Sequence, residues 1–322
     1  METRVLDLDG GIVAQTALVE RSAAAVLPLA GWGPRLRMAC GHRPFRRFER
    51  ELARLTGSEF DREPRLTFCG SGDFHHVSLA LVRRQPRPCN LLVIDNHPDW
   101  MRGVPLLHCG TWLYHAARLP QVACVFHVGG EVDFDNAWRW LAPWPLLRSG
   151  KISVLPAVRR FRGGGWRNVR HEALRPAPDL PADRERLEEW LRPYRAELAA
   201  RPLYVSLDKD VLGADESVVN WDSGLLTAAE VREVLRAFLS AAELAGMDVV
   251  GDWSPVRVAG PLRGVLHRTE HPPLTVDALE ATRRNQALNL ELRETVREAV
   301  ALTPPRLLPF PVAAPGDLRR TA

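Results

Sequence analysis

The chain has 322 residues, 46% of them hydrophobic and 25% charged, with a formal net charge of +4 and a pI near 9.0. These are ordinary globular values, and the length suffices to bury a substantial core as one large α/β domain or two smaller ones. No apolar stretch approaches the ~20 residues needed to cross a bilayer, so no membrane partner is expected. The basic balance comes almost wholly from Arg: Lys151 and Lys209 are the only lysines, and Arg alternates with Glu across residues 184–201. That describes a solvated mixed surface rather than a phosphate-binding stripe, and no nucleic-acid partner is expected.

In chain order, Met1-Glu2-Thr3-Arg4 leads into Val5-Leu6-Asp7-Leu8-Asp9, which reads as a strand rather than a signal peptide. The apolar run at residues 23–29 is too short to span a membrane and is soon followed by Gly and Pro. After residue 60 the pattern becomes strand, loop, helix, repeated. Leu66-Thr67-Phe68-Cys69 is a short strand, followed by a Gly70-Ser71-Gly72-Asp73 turn and a helix over about 75–84. Residues 91–95 form the next strand, then a loop to Gly110 and a helix through Arg118. A strand over 122–128 is closed by Gly129-Gly130, and a Trp-rich helix over 134–147 precedes a strand over 152–155.

Residues 159–183 hold three consecutive glycines and several prolines and read as a long surface loop. The next helix, 184–200, carries Leu187, Trp190, Leu191, Tyr194 and Leu198 on one face. A strand over 203–207 follows, then a loop and a helix that Thr227 caps, with Glu230 completing a capping box. A late strand at 247–250 ends in Asp252-Trp253-Ser254-Pro255, a long helix runs over 277–302, and a Pro-rich tail begins after Thr303. Alternating strands and helices predict a three-layer α/β/α fold with a mainly parallel central sheet, read as a single domain over 1–322. The five cysteines are odd in number and form no CxxC pair, which predicts reduced thiols and a cytoplasmic location. Cys69, Cys89 and Cys124 read as small core residues, and Cys109, between His108 and Gly110, lies closest to candidate chemistry.

Two acid and imidazole clusters each begin where an apolar run ends: Asp95-Asn96-His97-Pro98-Asp99 and Asp208-Lys209-Asp210. Alternate side chains of a strand point the same way, so Asp95, His97 and Asp99 can converge on one point, as can Asp208 and Asp210. Clustered carboxylates repel unless a cation holds them together. In an open parallel sheet, ligands bind at the carboxyl ends of the strands, and both clusters lie at such ends. They read as two halves of a metal site.

In order, the segments Gly70-Ser71-Gly72-Asp73-Phe74-His75-His76, Asp95-Asn96-His97-Pro98-Asp99, His108-Cys109-Gly110-Thr111 and Ser206-Leu207-Asp208-Lys209-Asp210 resemble the arginase/agmatinase, or ureohydrolase, family. The resemblance runs from about residue 66 to 255 and implies an arginase-like fold. It also implies two divalent ions, usually Mn²⁺, held by two His and four Asp. By that resemblance Asp95 and Asp208 bridge the ions, His97 and Asp210 bind one, and Asp99 with a histidine of the first segment binds the other. An oxygen-rich set with two imidazoles suits Mn²⁺, though the selectivity is loose. Phe74 is inserted before the histidines, so either His75 or His76 can be the ligand; His75 is preferred, with His76 behind it.

The implied activity is hydrolysis of a C–N bond in a small guanidino-type molecule, with a hydroxide between the ions attacking the guanidinium carbon to release urea or an amine. His108 matches the family's proton-shuttling histidine, and Asp210 is placed to hydrogen-bond the nucleophile or the leaving nitrogen. The family's late glutamate, which pairs with the guanidinium, has no direct counterpart; alignment on Pro255 puts Asp252 in its place. Members of the family form trimers and hexamers, so the resemblance allows a homo-oligomer. The alternatives are an amide or formimino hydrolase or a deacetylase on the same fold, or a metal-bound, non-catalytic binding protein. Trp100, Trp112, Trp221 and Trp253 fall near the site loops, either as packing or as walls that narrow the pocket or stack on a flat cation.

Overall fold

The computed structural model describes residues 1–58, 60–130, 140–157 and 184–302. Its strands are β1 (Glu2–Asp7), β2 (Ala25–Pro28), β3 (Ala39–Cys40), β4 (Arg65–Phe68), β5 (Cys89–Ile94), β6 (Leu107–His108), β7 (Val122–Val128), β8 (Ile152–Leu155), β9 (Leu203–Asp208) and β10 (Leu244–Val250). Eight of them form one sheet in the order β2-β1-β4-β10-β9-β5-β7-β8. Every neighbouring pair in it is parallel. The short β3 and β6 form a separate antiparallel pair, with Ala39 opposite His108.

The central strand shows why the sheet has two covered faces. Leu91, Leu92, Val93 and Ile94 are all fully buried, yet they alternate between two cores. Leu92 and Ile94 join Phe126, Trp190, Phe238 and Leu292, which lie on or against helices Arg184–Leu191, Ala228–Ala241 and Ala278–Leu302. Leu91 and Val93 join Phe45, Phe48, Leu81 and Trp112 on the other face. That face is covered by helices His42–Thr56, Ser78–Arg83 and Trp112–Ala116. An apolar residue at every position is what a strand covered on both sides requires.

Several expected elements appear with altered form. The helix expected over 184–200 is interrupted: Arg184–Leu191 gives way to a 3₁₀ turn, Arg192–Tyr194, before Arg195–Ala200. Pro193 lacks the N–H that a continuous helix needs, so the turn tightens there. The helix expected from about residue 75 begins as a 3₁₀ turn, Gly72–Val77, and becomes α-helical at Ser78. Helices His42–Thr56 and Pro261–Glu270 were not anticipated. Of the Trp-rich helix at 134–147, residues 134–139 lie outside the described residues, as do the 159–183 loop and the tail after 303; the described helix there is Trp144–Arg148. Among the described residues no helix is long and apolar enough to cross a membrane.

The sheet order fixes where a site can form. From β5 the chain moves outward to β7 and β8, whereas from β9 it moves the other way to β10. Adjacent strands whose connections leave in opposite directions open a crevice at their carboxyl ends. The helix after β9 starts with the expected capping box: Thr227 Oγ1 accepts from Glu230 N at 3.2 Å, and Glu230 Oε2 accepts from Thr227 N at 2.7 Å. Thr227→Ala is expected to cost about 1 kcal/mol, read as a lower urea midpoint with an unchanged slope.

Candidate metal centre

Each strand end curls its acidic loop in its own way. After β4, Ser71 Oγ accepts from Asp73 N at 3.3 Å, starting the 3₁₀ turn that carries both histidines. Their rings therefore leave in different directions. His75 Nδ1 lies 3.2 Å from Asp95 Oδ2, 3.0 Å from Asp99 Oδ2 and 3.4 Å from Asp208 Oδ2. His76 turns away toward Phe45, ring centroids 6.1 Å apart, and neither of its ring nitrogens has a hydrogen-bond partner. Burial drives its pKa down to about 3, so it is a neutral packing residue.

After β5, Asp95 Oδ1 accepts from His97 N at 2.7 Å, which folds the loop back. His97 Nδ1 then sits 2.8 Å from Asp210 Oδ2 and 3.9 Å from Asp95 Oδ1. Asp99 has a positive φ of 49°, a left-handed conformation that Asp tolerates better than most residues. It is held there because its carbonyl accepts from Leu113 N at 2.9 Å and its Oδ2 from Trp112 Nε1 at 2.8 Å. After β9, Asp208 Oδ1 accepts from Asp210 N at 3.1 Å, and Asp210 Oδ1 accepts from Asn96 N at 3.2 Å.

Five of the six expected ligands thus converge as two groups that share one carboxylate: His75, Asp95 and Asp99, and Asp95, His97 and Asp210. Asp208 borders the first through His75 and the second through Asp210. Five of the six are at most 4% exposed, whereas the side chain of His97 is 39% exposed. The cluster therefore opens to solvent on the His97 side.

The charges show what the arrangement lacks. Burial, then the neighbouring Asp210, pushes the Asp208 carboxyl well above its ordinary range, and burial with Asp95 lifts Asp99 to about 7. Burial alone would lower His97, but Asp210 more than reverses this and raises it to about 10. His75 is likewise raised, against burial, by Asp95 and Asp99. Shifts in these directions are what negative charge crowded into a buried place produces. His75 Nδ1 and Asp95 Oδ2 are also buried without a hydrogen-bond partner, a costly state for two polar atoms unless something positive lies between the groups. The donor set and these orphaned atoms fit a pair of hard divalent ions.

A second layer of residues fixes the first. Asp248, fully buried, accepts from Ser78 Oγ at 2.7 Å, Ser206 Oγ at 2.8 Å and Tyr204 Oη at 2.9 Å. Ser206 Oγ, its proton given to Asp248, accepts from His75 Nε2 at 3.0 Å. In neutral His75 this puts the Nδ1 lone pair toward the carboxylates. His127, at the end of β7, donates from Nε2 to the His97 carbonyl at 2.8 Å. Gly130 lets the backbone pass beneath this loop, since a Cβ there would lie 2.3 Å from the Asn96 carbonyl oxygen. Sequence reasoning missed these supports. The available signal was a polar residue inside an apolar strand, as with Ser206 in β9 and Asp248 in β10.

Of the three expected catalytic residues, Asp210 lies within the cluster. His108 ends β6 half-buried, its backbone N–H donating to Thr111 Oγ1 at 3.0 Å, and burial lowers its pKa, so it is neutral at pH 7. Asp252 does not take the guanidinium-binding place expected of it. Its carboxylate is fully buried against Lys209 Nζ at 2.8 Å, Gln15 Nε2 at 2.6 Å and Asn289 Nδ2 at 3.0 Å. The charge of Lys209, placed between two acidic ligands and itself fully buried, requires a counterion, and Asp252 is it. The residue before it, Gly251, carries no side chain. A Cβ there would lie 2.5 Å from Asp208 Oδ1, and its φ of +92° disfavours any side chain.

No protein-family model matches the chain. An uncharacterized protein of Thermotoga maritima is 26% identical over 191 residues, and the chain spans 59% of that relative's length, using 59% of its own. Solved structures cover far more of it. Arginase from Bacillus subtilis matches with a TM-score of 0.52 at 12% identity, over 96% of this chain and 100% of its own. Formimidoylglutamase from Bacillus subtilis gives 0.51 at 12% identity over 94% and 87%. Entamoeba histolytica arginase, solved with L-ornithine, gives 0.51 at 11% identity over 91% and 96%. The chain has the arginase fold.

Asp252→Asn is expected to lower stability by about 3–5 kcal/mol, because Lys209 is left buried without its counterion. A Lys209→Met/Asp252→Leu double variant should recover most of that in urea unfolding. A divalent ion must also displace the protons held at His97 and Asp99, so its affinity should rise with pH through 7. Calorimetric Mn²⁺ titration in two buffers of different ionisation enthalpy should show net proton release.

Proposed function

We propose that this protein is a binuclear metal-dependent hydrolase of a C–N bond in a small guanidino- or amidino-type molecule, with Mn²⁺ as the preferred ion. The observation that carries the reading is the pair of three-residue ligand groups sharing Asp95. His75 and Asp99 would hold one ion, His97 and Asp210 the other, with Asp95 and Asp208 between them. When bound, such a pair supplies Lewis acidity and brings the pKa of water toward neutrality.

The chain's own groups account for the remaining chemistry. Asp210 has one oxygen on His97 and the other on the Asn96 backbone, a fixed acceptor for a proton at the reacting centre. His108 would be the group that takes a proton from the reacting centre and returns it to the leaving nitrogen. Ser206 and Asp248 hold His75 in one tautomer, while Trp112 holds Asp99. The cluster's exposure at His97 alone admits a small substrate from one side.

One observation favours a second reading, an amide or formimino hydrolase. Asp252 is committed to Lys209, and Gly251 has no side chain, so the carboxylate that would pair with a guanidinium's second nitrogen is absent from both positions. The non-catalytic alternative is tested together with the enzyme readings. With Mn²⁺ supplied, a panel of guanidino, formimino and amide compounds should yield urea, formamide or ammonia from at least one member. Metal-replete protein that releases none of them would turn the assignment to a binding protein. Asp208→Ala should remove metal and turnover together. His108→Ala should keep full metal content while turnover falls about 10²–10⁴-fold.

A further inference from the structure

Trp221 stands where the metal cluster is open. Its ring centroid is 5.7 Å from that of His97, the half-exposed ligand, at an interplanar angle of 64°. On another side it meets His271, centroids 5.1 Å apart at 77°. Both contacts are edge-to-face, so neither imidazole stacks on the indole. The indole is also anchored rather than loosely packed. Its Nε1–H donates to Asp73 Oδ1 at 3.1 Å, the same oxygen that His271 Nε2 approaches at 2.8 Å. The other oxygen, Oδ2, takes Arg37 Nε at 2.6 Å. Gly72 leaves room for this: a Cβ there would lie 3.2 Å from Trp221 Cδ1 and 2.9 Å from Asp208 Oδ2. The edge of the indole and a metal-facing carboxylate thus pack on the same bare backbone position.

Asp73, invested in Arg37, His271 and Trp221, is not available to a substrate cation. Asp252, bound to Lys209, is not either. Trp221 offers a flat cationic head group at this opening a different kind of partner, an aromatic face whose quadrupole attracts cations. We propose that Trp221 is the specificity-determining wall of the pocket, selecting planar amidinium or guanidinium groups over tetrahedral ammonium groups. Asp73 and His271 act as positioning residues that hold it. This inference rests on the hydrolase reading for its substrate class, but its test does not depend on turnover.

The test is calorimetric titration of the Mn²⁺-supplemented full-length protein with acetamidinium and with n-butylammonium, cations of equal charge but different shape. Wild type should bind acetamidinium about tenfold more tightly. Trp221→Ala should reduce that ratio to about one, while Trp221→Phe keeps most of it. Metal content and thermal midpoint, measured on the same samples, separate loss of the wall from loss of fold. An unchanged ratio in Trp221→Ala, or no binding of either cation by wild type, would overturn the proposal. If the preference disappears with Trp221 but no panel compound is hydrolysed, the wall stands and the hydrolase reading falls. Product formation with the preference untouched by Trp221→Ala would do the reverse.

Discussion

Four carboxylates and two imidazoles brought to one buried point form the constraint on which the rest of the structure depends. Asp95, Asp99, Asp208 and Asp210 come from loops at the ends of adjacent strands, each at most 4% exposed. In water they would separate; here the sheet holds them together. Such an arrangement is stable only when positive charge is supplied. Around it the chain commits rare conformations and buried polar groups: a left-handed Asp99, an indole aimed at that carboxylate, and a three-hydroxyl cradle for Asp248 behind His75. These expenses make sense for a site that must keep a fixed shape when it takes up ions.

The topology explains why the cluster lies where it does. Strands β5 and β9 are neighbours, yet the chain leaves them in opposite directions, and the crevice this opens receives both acidic loops. Two cores, one on each face, hold the strands so that the loops have little freedom. The single break in burial is at His97, which gives the pocket a direction. Trp221 and His271 occupy that side, and both are tied to Asp73, a residue of the 3₁₀ turn that carries His75. The geometry of the entrance is therefore coupled to the geometry of the ligands.

Much of this was legible in the sequence because strand ends concentrate chemistry. An apolar run followed by alternating Asp and His is a local signal that picks out Asp95, His97, Asp99, Asp208 and Asp210, whereas His75 was named only through the resemblance to the ureohydrolase family. The capping box at Thr227 and Glu230 was legible for the same reason: a few neighbouring residues settle it. Asp252 was misassigned because its partner, Lys209, lies 43 positions away in sequence and on a different strand end, as the positions Lys209 and Asp252 themselves show. The supporting roles of Ser206 and Asp248 were hidden, because a polar residue inside an apolar strand reads as an exception until its neighbours across the sheet are known. Pro193 carried a visible signal, yet the helical periodicity of the residues around it outweighed it.

The departures from the ureohydrolase pattern after β10 centre on one buried charge. Lys209 between two ligands needs a counterion, Asp252 provides it, and Gly251 leaves the neighbouring position bare. On the proposed reading, substrate recognition then uses other groups, while the Asp and His cluster keeps its arrangement. The most direct measurement of the central claim is anomalous diffraction from crystals grown with Mn²⁺. Two manganese peaks about 3.5–4 Å apart, with Asp95 between them, are predicted. A single peak, or ions bound elsewhere while the aspartates face one another bare, would contradict it.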